Sequence, residues 1–159
     1  MGILVSSKPI LLSSSPALFC QIRRQWVVAS PEEQVRQRLL CTLVEILGFP
    51  IELIAVEKAI RQLPHLAEVD PRQIPNRRVD IVCYSPQGNS LEPLLVIECK
   101  AVPLTWKVIN QVLGYQILVR SRYVAIANET QVQVGQRDPR TGEWLFSDAL
   151  PSYQALTSS

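Results

Sequence analysis

Apolar residues recur every three or four positions between about residues 31 and 47, which predicts a helix with one apolar face. The positions that form this face are Val35, Leu39, Leu43 and Ile46. Ser30 is a suitable N-cap, Pro31 suits the first helical position, and Glu33 is placed to close a capping box. A glycine and a proline just beyond the last turn are expected to end the helix.

A second helix is predicted from about residue 105 to residue 119, and it is apolar around much of its circumference. We therefore expect this helix to be largely buried. Shorter apolar runs predict strands at about residues 51–57, 79–84, 94–100, 122–127 and 130–136. A segment rich in turn formers, residues 85–90, joins two of these runs, which predicts a β-hairpin.

The order of the predicted elements is α, β, β, β, α, β, with one or two strands appended, which predicts an α/β domain with helices packed on a mixed central sheet. Residues 61–77 are expected to form an irregular crossing loop, and residues 137–146 a turn with a short edge strand. We expect the domain to span residues 30–150, between a poorly defined or flexible leader, residues 1–29, and a peripheral tail, residues 151–159.

Composition changes this picture only in part. The chain of 159 residues is 47% apolar, enough to bury a core, and its formal net charge of +2 requires any basic surface to be local. Several arginines stand in pairs, which fits either such a surface or ordinary solvated positions. The four cysteines form no Cys-x-x-Cys pair and there is one histidine, which argues against a zinc site and favours a reduced, cytoplasmic compartment. No apolar run is long enough to span a membrane.

Charged residues stand within or at the end of two of the apolar runs. Asp80 interrupts the run at 79–84, and Glu98 and Lys100 end the run at 94–100. Burying a charge is costly unless it is paired or bound to a metal. Because side chains alternate along a strand, Glu98 and Lys100 are expected on one face and Cys99 on the other.

Two interpretations of these charges are open. In the first, Asp80 pairs with Arg77 or Arg78, and Glu98 forms a surface salt bridge with Lys100. In the second, the carboxylates bind Mg²⁺, a cation that prefers oxygen ligands and that activates water for phosphodiester hydrolysis. The Cys99 main-chain carbonyl would be a third ligand, and Lys100 would orient the attacking water or stabilise charge on the phosphate.

Several segments in one order strengthen the second interpretation. They are residues 31–37, Val56-Glu57-Lys58, residues 78–82, residues 96–101 and residues 111–115. Together they resemble the PD-(D/E)xK nuclease superfamily. More narrowly, residues 30–150 resemble the N-terminal nuclease domain of type I restriction enzyme R subunits, as in short stand-alone bacterial proteins. The resemblance implies a restriction-endonuclease-like αβββαβ core and a small DNA endonuclease that uses Mg²⁺, with Mn²⁺ as a substitute.

The resemblance also implies roles for individual residues. Asp80 and Glu98 are similar to the family's metal carboxylates, and Lys100 to its catalytic lysine. Glu33 is similar to an acidic residue on the first helix that binds metal directly or through water, the alternative being the capping box. Glu57 either supports the site or is a surface charge, and we favour the surface charge.

The second helix carries a Q-x-x-x-Y motif, Gln111 and Tyr115, that related nucleases share. Lys107 extends the same helix face, and this row would contact DNA phosphates or orient Glu98 and Lys100. The alternative for Tyr115 is a core aromatic with a polar tip. We assign nucleic-acid binding to Lys107, together with Arg36 and Arg78.

The sequence also departs from the family pattern. Val102 stands where a proline is usual, and Gln116 where relatives often have asparagine.

No G-x-x-x-x-G-K-S/T motif is present, so we expect a motor or specificity partner, or action on DNA structure, damage or ends. A homodimer is one way to cut both strands. RNA stays open as a substrate, since phosphate contacts do not distinguish it from DNA. A non-catalytic nucleic-acid-binding or interaction module with the same fold is the alternative function.

Overall fold

The computed structural model describes residues 16–158, which begin with a two-stranded hairpin. Strand β1 (Ala17–Cys20) pairs antiparallel with β2 (Gln25–Val28), and Arg24 in the turn has a φ of 53°, in the left-handed region. Cys20 is fully buried against the core. The hairpin is thus an ordered part of the fold, where the sequence predicted a flexible leader. Residues 1–15 of that predicted leader lie outside the described residues.

Helix α1 (Pro31–Cys41) begins as the sequence predicts. Ser30 Oγ accepts a hydrogen bond from the Glu33 amide at 3.2 Å, and Pro31 is the first helical residue. The reciprocal capping-box bond is not made, because the Glu33 carboxylate is bound by arginines and Gln37 instead. The chain continues as a π-helical segment (Thr42–Ile46), whose wider turn shifts the side-chain positions. Ile46 is consequently exposed rather than part of the apolar face.

Six strands form the central mixed sheet in the order β3 to β8. They are β3 (Ile54–Ala59), β4 (Arg78–Gln87), β5 (Ser90–Cys99), β6 (Tyr123–Ala127), β7 (Val132–Arg137) and β8 (Trp144–Ser147). Strands β5 and β6 are parallel, and the other neighbours are antiparallel. The predicted β4–β5 hairpin and mixed α/β sheet are confirmed.

The segments on either side of β3 are irregular. Residues predicted to begin this strand form a 3₁₀ turn (Ile51–Leu53) instead. Between β3 and β4 the chain makes three further 3₁₀ turns. Leu63, between the first two turns, and Leu66, in the second, are buried. These buried leucines fix the crossing segment, which ends at Arg77 immediately before β4.

The helices pack on the two faces of the sheet. Helix α1 covers one face, and α2 (Trp106–Val119), capped by Thr105, covers the other. Val112 and Val119 of α2 are fully buried, whereas Trp106 and Ile117 are exposed. The helix is therefore buried along one side, and not around most of its circumference as predicted. Among the described residues, no helix has the length and apolar character needed to cross a membrane.

The C-terminal segment is also part of the core. Helix α3 (Tyr153–Thr157) buries Leu156 in the cluster that α1 covers. The Tyr153 amide donates to the Leu47 carbonyl at 2.9 Å, and its ring packs edge-on against Phe49 at 5.5 Å between centroids. The residues predicted to form a peripheral tail thus tie the end of the chain to the end of the first helix.

Candidate functional site

Both oxygens of the Asp80 carboxylate are held by hydrogen bonds. Oδ2 accepts from the Cys99 main-chain amide at 2.7 Å, and Oδ1 accepts from Arg36 Nη2 at 2.7 Å. The antiparallel register that pairs Ile81 with Ile97 places Asp80 opposite Glu98 at the next step. The cation paired with Asp80 is Arg36 from helix α1, and neither Arg77 nor Arg78.

Glu98 is a buried carboxylate with three side-chain donors. Its Oε1 accepts from Lys100 Nζ at 3.1 Å and from Arg77 Nη2 at 3.2 Å, and its Oε2 accepts from the Tyr115 hydroxyl at 3.0 Å. Glu98 is only 6% exposed, so its pair with Lys100 is not a surface salt bridge. The same-face placement of Glu98 and Lys100 predicted from alternation is seen in this contact.

Tyr115 connects helix α2 to the carboxylate. Burial raises the pKa of its hydroxyl, and the neighbouring Glu98 carboxylate raises this pKa further. The hydroxyl therefore stays protonated and donates a hydrogen bond to Oε2. The Arg77 guanidinium carbon lies 4.4 Å from the centroid of the Tyr115 ring, a cation–π contact. Tyr115 thus contacts both Glu98 and Arg77, and the role expected of the Q-x-x-x-Y motif stays a prediction.

A second cluster of charges surrounds Glu33. This buried carboxylate accepts from Arg23, from Arg36 and, at 2.7 Å, from Gln37 Nε2. Arg36 is itself buried and lies between Glu33 and Asp80. Burial lowers its pKa, but the Asp80 and Glu33 charges outweigh burial, so the pKa of Arg36 is raised. Carboxylates hold both of its terminal nitrogens, and the nucleic-acid contact expected of Arg36 stays a prediction.

Glu57 completes this second cluster. Its φ of 52° interrupts the β3–β4 pairing between Val56 and Lys58. Its carboxylate accepts from Arg23 Nη1 at 3.2 Å and lies 3.5 Å from Arg36 Nη1. Glu57 is therefore a partly exposed charge, with its side chain 41% exposed, that also contacts the cluster.

Two site residues were missed at the sequence level, Arg23 and Arg77. Arg23 reaches Glu33 and Glu57 from the turn of the β1–β2 hairpin, a segment without a recognisable pattern. Arg77 was considered only as a partner of Asp80, but it binds Glu98. Both contacts join residues distant in sequence, and local spacing carries no signal for such partners.

The site as a whole holds balanced charges. Four carboxylates, those of Glu33, Glu57, Asp80 and Glu98, face four cations, those of Arg23, Arg36, Arg77 and Lys100. Within residues 16–158 there is no group of three or more histidine, cysteine or acidic side chains arranged to hold a metal ion. Since Arg36 separates Glu33 from Asp80, the predicted three-acid set is not brought together.

The remaining predicted residues lie away from these contacts. Lys107 and Gln111 are exposed on α2. Arg78 is exposed and donates to the Glu57 carbonyl at 3.5 Å. His65 is exposed, and its ring bonds the Leu118 carbonyl at 2.8 Å. Only the tyrosine of the Q-x-x-x-Y motif touches the carboxylates.

The order of these residues along the chain matches a known family. The sequence model described as type I restriction enzyme R protein N terminus (HSDR_N) matches residues 31–151. The chain belongs to this family. The matched range of this R-protein N-terminal family includes all four carboxylates of the site and begins after Arg23. Comparison with curated proteins and with solved structures gave no significant match.

Proposed function

We propose that this chain is a nuclease domain that hydrolyses phosphodiester bonds in DNA with the help of a divalent cation. The observation that carries the proposal is the junction of Asp80 and Glu98. A buried Glu98 binds the Lys100 amine, and the next amide along the strand, that of Cys99, binds Asp80. Membership of a restriction-enzyme family supports the same chemistry.

The donor set of this junction fits Mg²⁺. Asp80 and Glu98 offer carboxylate oxygens, and the Cys99 carbonyl is a further oxygen on the same strand. Mg²⁺ is commonly bound through one or two carboxylates while it keeps several waters, so a third acid is not required. Asp80 and Glu98 would hold the cation, with Mn²⁺ as a substitute. When bound, it would polarise the phosphate and lower the pKa of a water.

The other side chains prepare the site for this reaction. The Tyr115 hydroxyl fixes the rotation of Glu98 by binding Oε2, which leaves Oε1 facing Lys100. One of the three Lys100 N–H donors is bound to Oε1, and the ammonium offers donors to an attacking water or a phosphate oxygen. The Cys99 amide and Arg36 hold Asp80 in place. These groups are preorganised, which is the condition for strong electrostatic stabilisation.

A second function is favoured by a different observation. Every carboxylate of the site is already paired with a cation, so the cluster is neutral as it stands. A domain that only binds nucleic acid or a partner protein would be stable in this form. Cleavage of RNA, a motor or specificity partner, and a homodimer that cuts both strands are further proposals within the nuclease function.

Cleavage of labelled substrates tests the proposal. Duplex, single-stranded and branched DNA and single-stranded RNA are incubated with Mg²⁺, with Mn²⁺ or with a chelator. We expect cation-dependent cleavage that falls at least about 100-fold in Asp80→Asn and Lys100→Ala, since each removes one electrostatic group. Asp70→Asn, at a half-exposed acid paired with the exposed Arg72, should cleave normally.

The controls decide between the two functions. Cleavage that is equal in the wild type, Asp80→Asn and Lys100→Ala would show that these residues are not the site. Tight binding of DNA without cleavage under any cation would contradict the nuclease proposal and support the binding module.

A further inference from the structure

We propose that Arg77, stacked on Tyr115, is the group that binds a nucleic-acid phosphate at this site, an inference that rests on the proposed function. The sequence motifs do not single out Arg77. Its place in the structure is defined by two contacts, the 4.4 Å stack on the Tyr115 ring and the 3.2 Å bond from Nη2 to Glu98 Oε1.

Accessibility distinguishes Arg77 from the other arginines of the site. The side chains of Arg23 and Arg36 are 15% and 7% exposed, and they contact two and three carboxylates respectively. The side chains of Arg77 and Lys100 are 39% and 25% exposed. An anion that approaches Glu98 from solvent therefore meets Arg77 and Lys100 first.

The backbone and the ring hold Arg77 in a fixed position. Its carbonyl accepts from the Ile60 amide at 3.0 Å, and its amide donates to the Pro75 carbonyl at 2.8 Å. The guanidinium carbon lies 4.4 Å from the centroid of the Tyr115 ring, and the Arg77 side chain remains 39% exposed. An arginine that is already ordered loses little conformational entropy when it binds a ligand.

The donor arrangement fits a phosphate diester. Arginine presents five N–H groups in a planar fork that matches phosphate oxygens, and Lys100 adds a second cation. Since both cations lie within hydrogen-bond distance of the same Glu98 oxygen, one diester phosphate can accept from both through its two non-bridging oxygens. Arg77 would thus place the phosphate beside the two carboxylates proposed to hold the cation.

The test measures DNA binding without cleavage. Anisotropy of a short fluorescein-labelled DNA duplex is followed with a chelator present, over a range of salt concentrations. Arg77→Ala should bind about tenfold more weakly, as expected for one charge-assisted hydrogen bond. For this variant, the slope of log affinity against log salt concentration should be shallower by about 0.9, the value for one lost phosphate contact. Arg72→Ala removes the same charge from an exposed arginine bonded to Asp70, and we expect no change in its salt dependence.

Arg77→Lys provides a second variant that keeps the charge. It should keep the wild-type salt dependence but lose affinity, because a lysine has no planar fork. Thermal unfolding of each variant identifies losses of DNA affinity that are caused by misfolding. If Arg77→Ala is misfolded, the wild type is compared with Arg77→Lys instead.

The outcomes separate this inference from the proposed function. If the wild type binds and Arg77→Ala matches Arg72→Ala in affinity and salt dependence, the role of Arg77 is refuted and the nuclease proposal stands. Loss of cleavage with unchanged binding would likewise refute it, since Arg77 would then only position Glu98. A wild-type protein without salt-dependent DNA binding would contradict both proposals.

Discussion

Replacing Arg36 with alanine should destabilise the fold far more than replacing Arg38, two residues later on the same helix. Arg36 lies between the Glu33 and Asp80 carboxylates with its side chain 7% exposed. Arg38 pairs with Glu129, and these two side chains are 60% and 72% exposed. The two variants remove the same charge, so the difference between them reports burial.

The expected magnitude follows from the partners that remain. Breaking a buried ion pair by removing one partner costs about 3–5 kcal/mol. Glu33 keeps Arg23 and Gln37, and Asp80 keeps the Cys99 amide, so we expect the lower end, about 3 kcal/mol for Arg36→Ala. An exposed pair such as Arg38–Glu129 contributes about 0.2–1 kcal/mol.

Urea unfolding followed by circular dichroism measures both values. With a slope of about 2 kcal/mol per molar urea, the midpoint of Arg36→Ala should fall by about 1.5 M while the slope is unchanged. Adding Asp80→Asn to Arg36→Ala removes the uncompensated charge and should recover part of the loss. If Arg36→Ala costs no more than Arg38→Ala, the buried ion network is not what holds Asp80.

Three further predictions concern the tyrosine, the C-terminal helix and a buried thiol. Tyr115→Phe should lower the cleavage rate while DNA affinity is unchanged, because only the orientation of Glu98 is lost. A loss of DNA affinity as large as the loss of cleavage would contradict this prediction. Leu156→Ala should cost about 2–5 kcal/mol in urea unfolding, against less than about 0.5 kcal/mol for Leu145→Ala at an exposed position. Burial raises the pKa of the Cys83 thiol from 9.0 to about 12, so the unfolded chain loses this proton at a lower pH than the folded protein does. Stability that is present below pH 9 should therefore fall as the pH rises toward 12, by up to about 1.4 kcal/mol per pH unit. In Cys83→Ala this decline of stability with pH should be shallower. An unchanged decline would show that the Cys83 thiol is not its cause.

Local chemistry made much of the fold predictable. Ser30 and Pro31 mark the start of a helix through their own backbone preferences, and the structure begins the helix there. Strict alternation placed Glu98 and Lys100 on one face, and turn formers between two apolar runs predicted the β4–β5 hairpin. These features depend on residues close together in sequence, which is why the sequence alone reveals them.

Long-range partners were not predictable in the same way. Arg23 and Arg36 meet Glu33 and Asp80 only because the hairpin and α1 pack at the end of the sheet. An arginine in a helical sequence can be a surface cation or a buried counter-ion, and tertiary packing determines which of the two it becomes. The same holds for Leu156, whose burial depends on where the chain returns.

The central claim is that Asp80 and Glu98, which the structure holds with different partners, act on one divalent cation. Titration with Mn²⁺, followed by electron paramagnetic resonance and by calorimetry, tests it most directly. We predict one bound Mn²⁺ in the wild type and in Asp70→Asn, and its loss in both Asp80→Asn and Glu98→Gln. Wild-type protein that binds no Mn²⁺, or that binds it equally after either change, would contradict the claim.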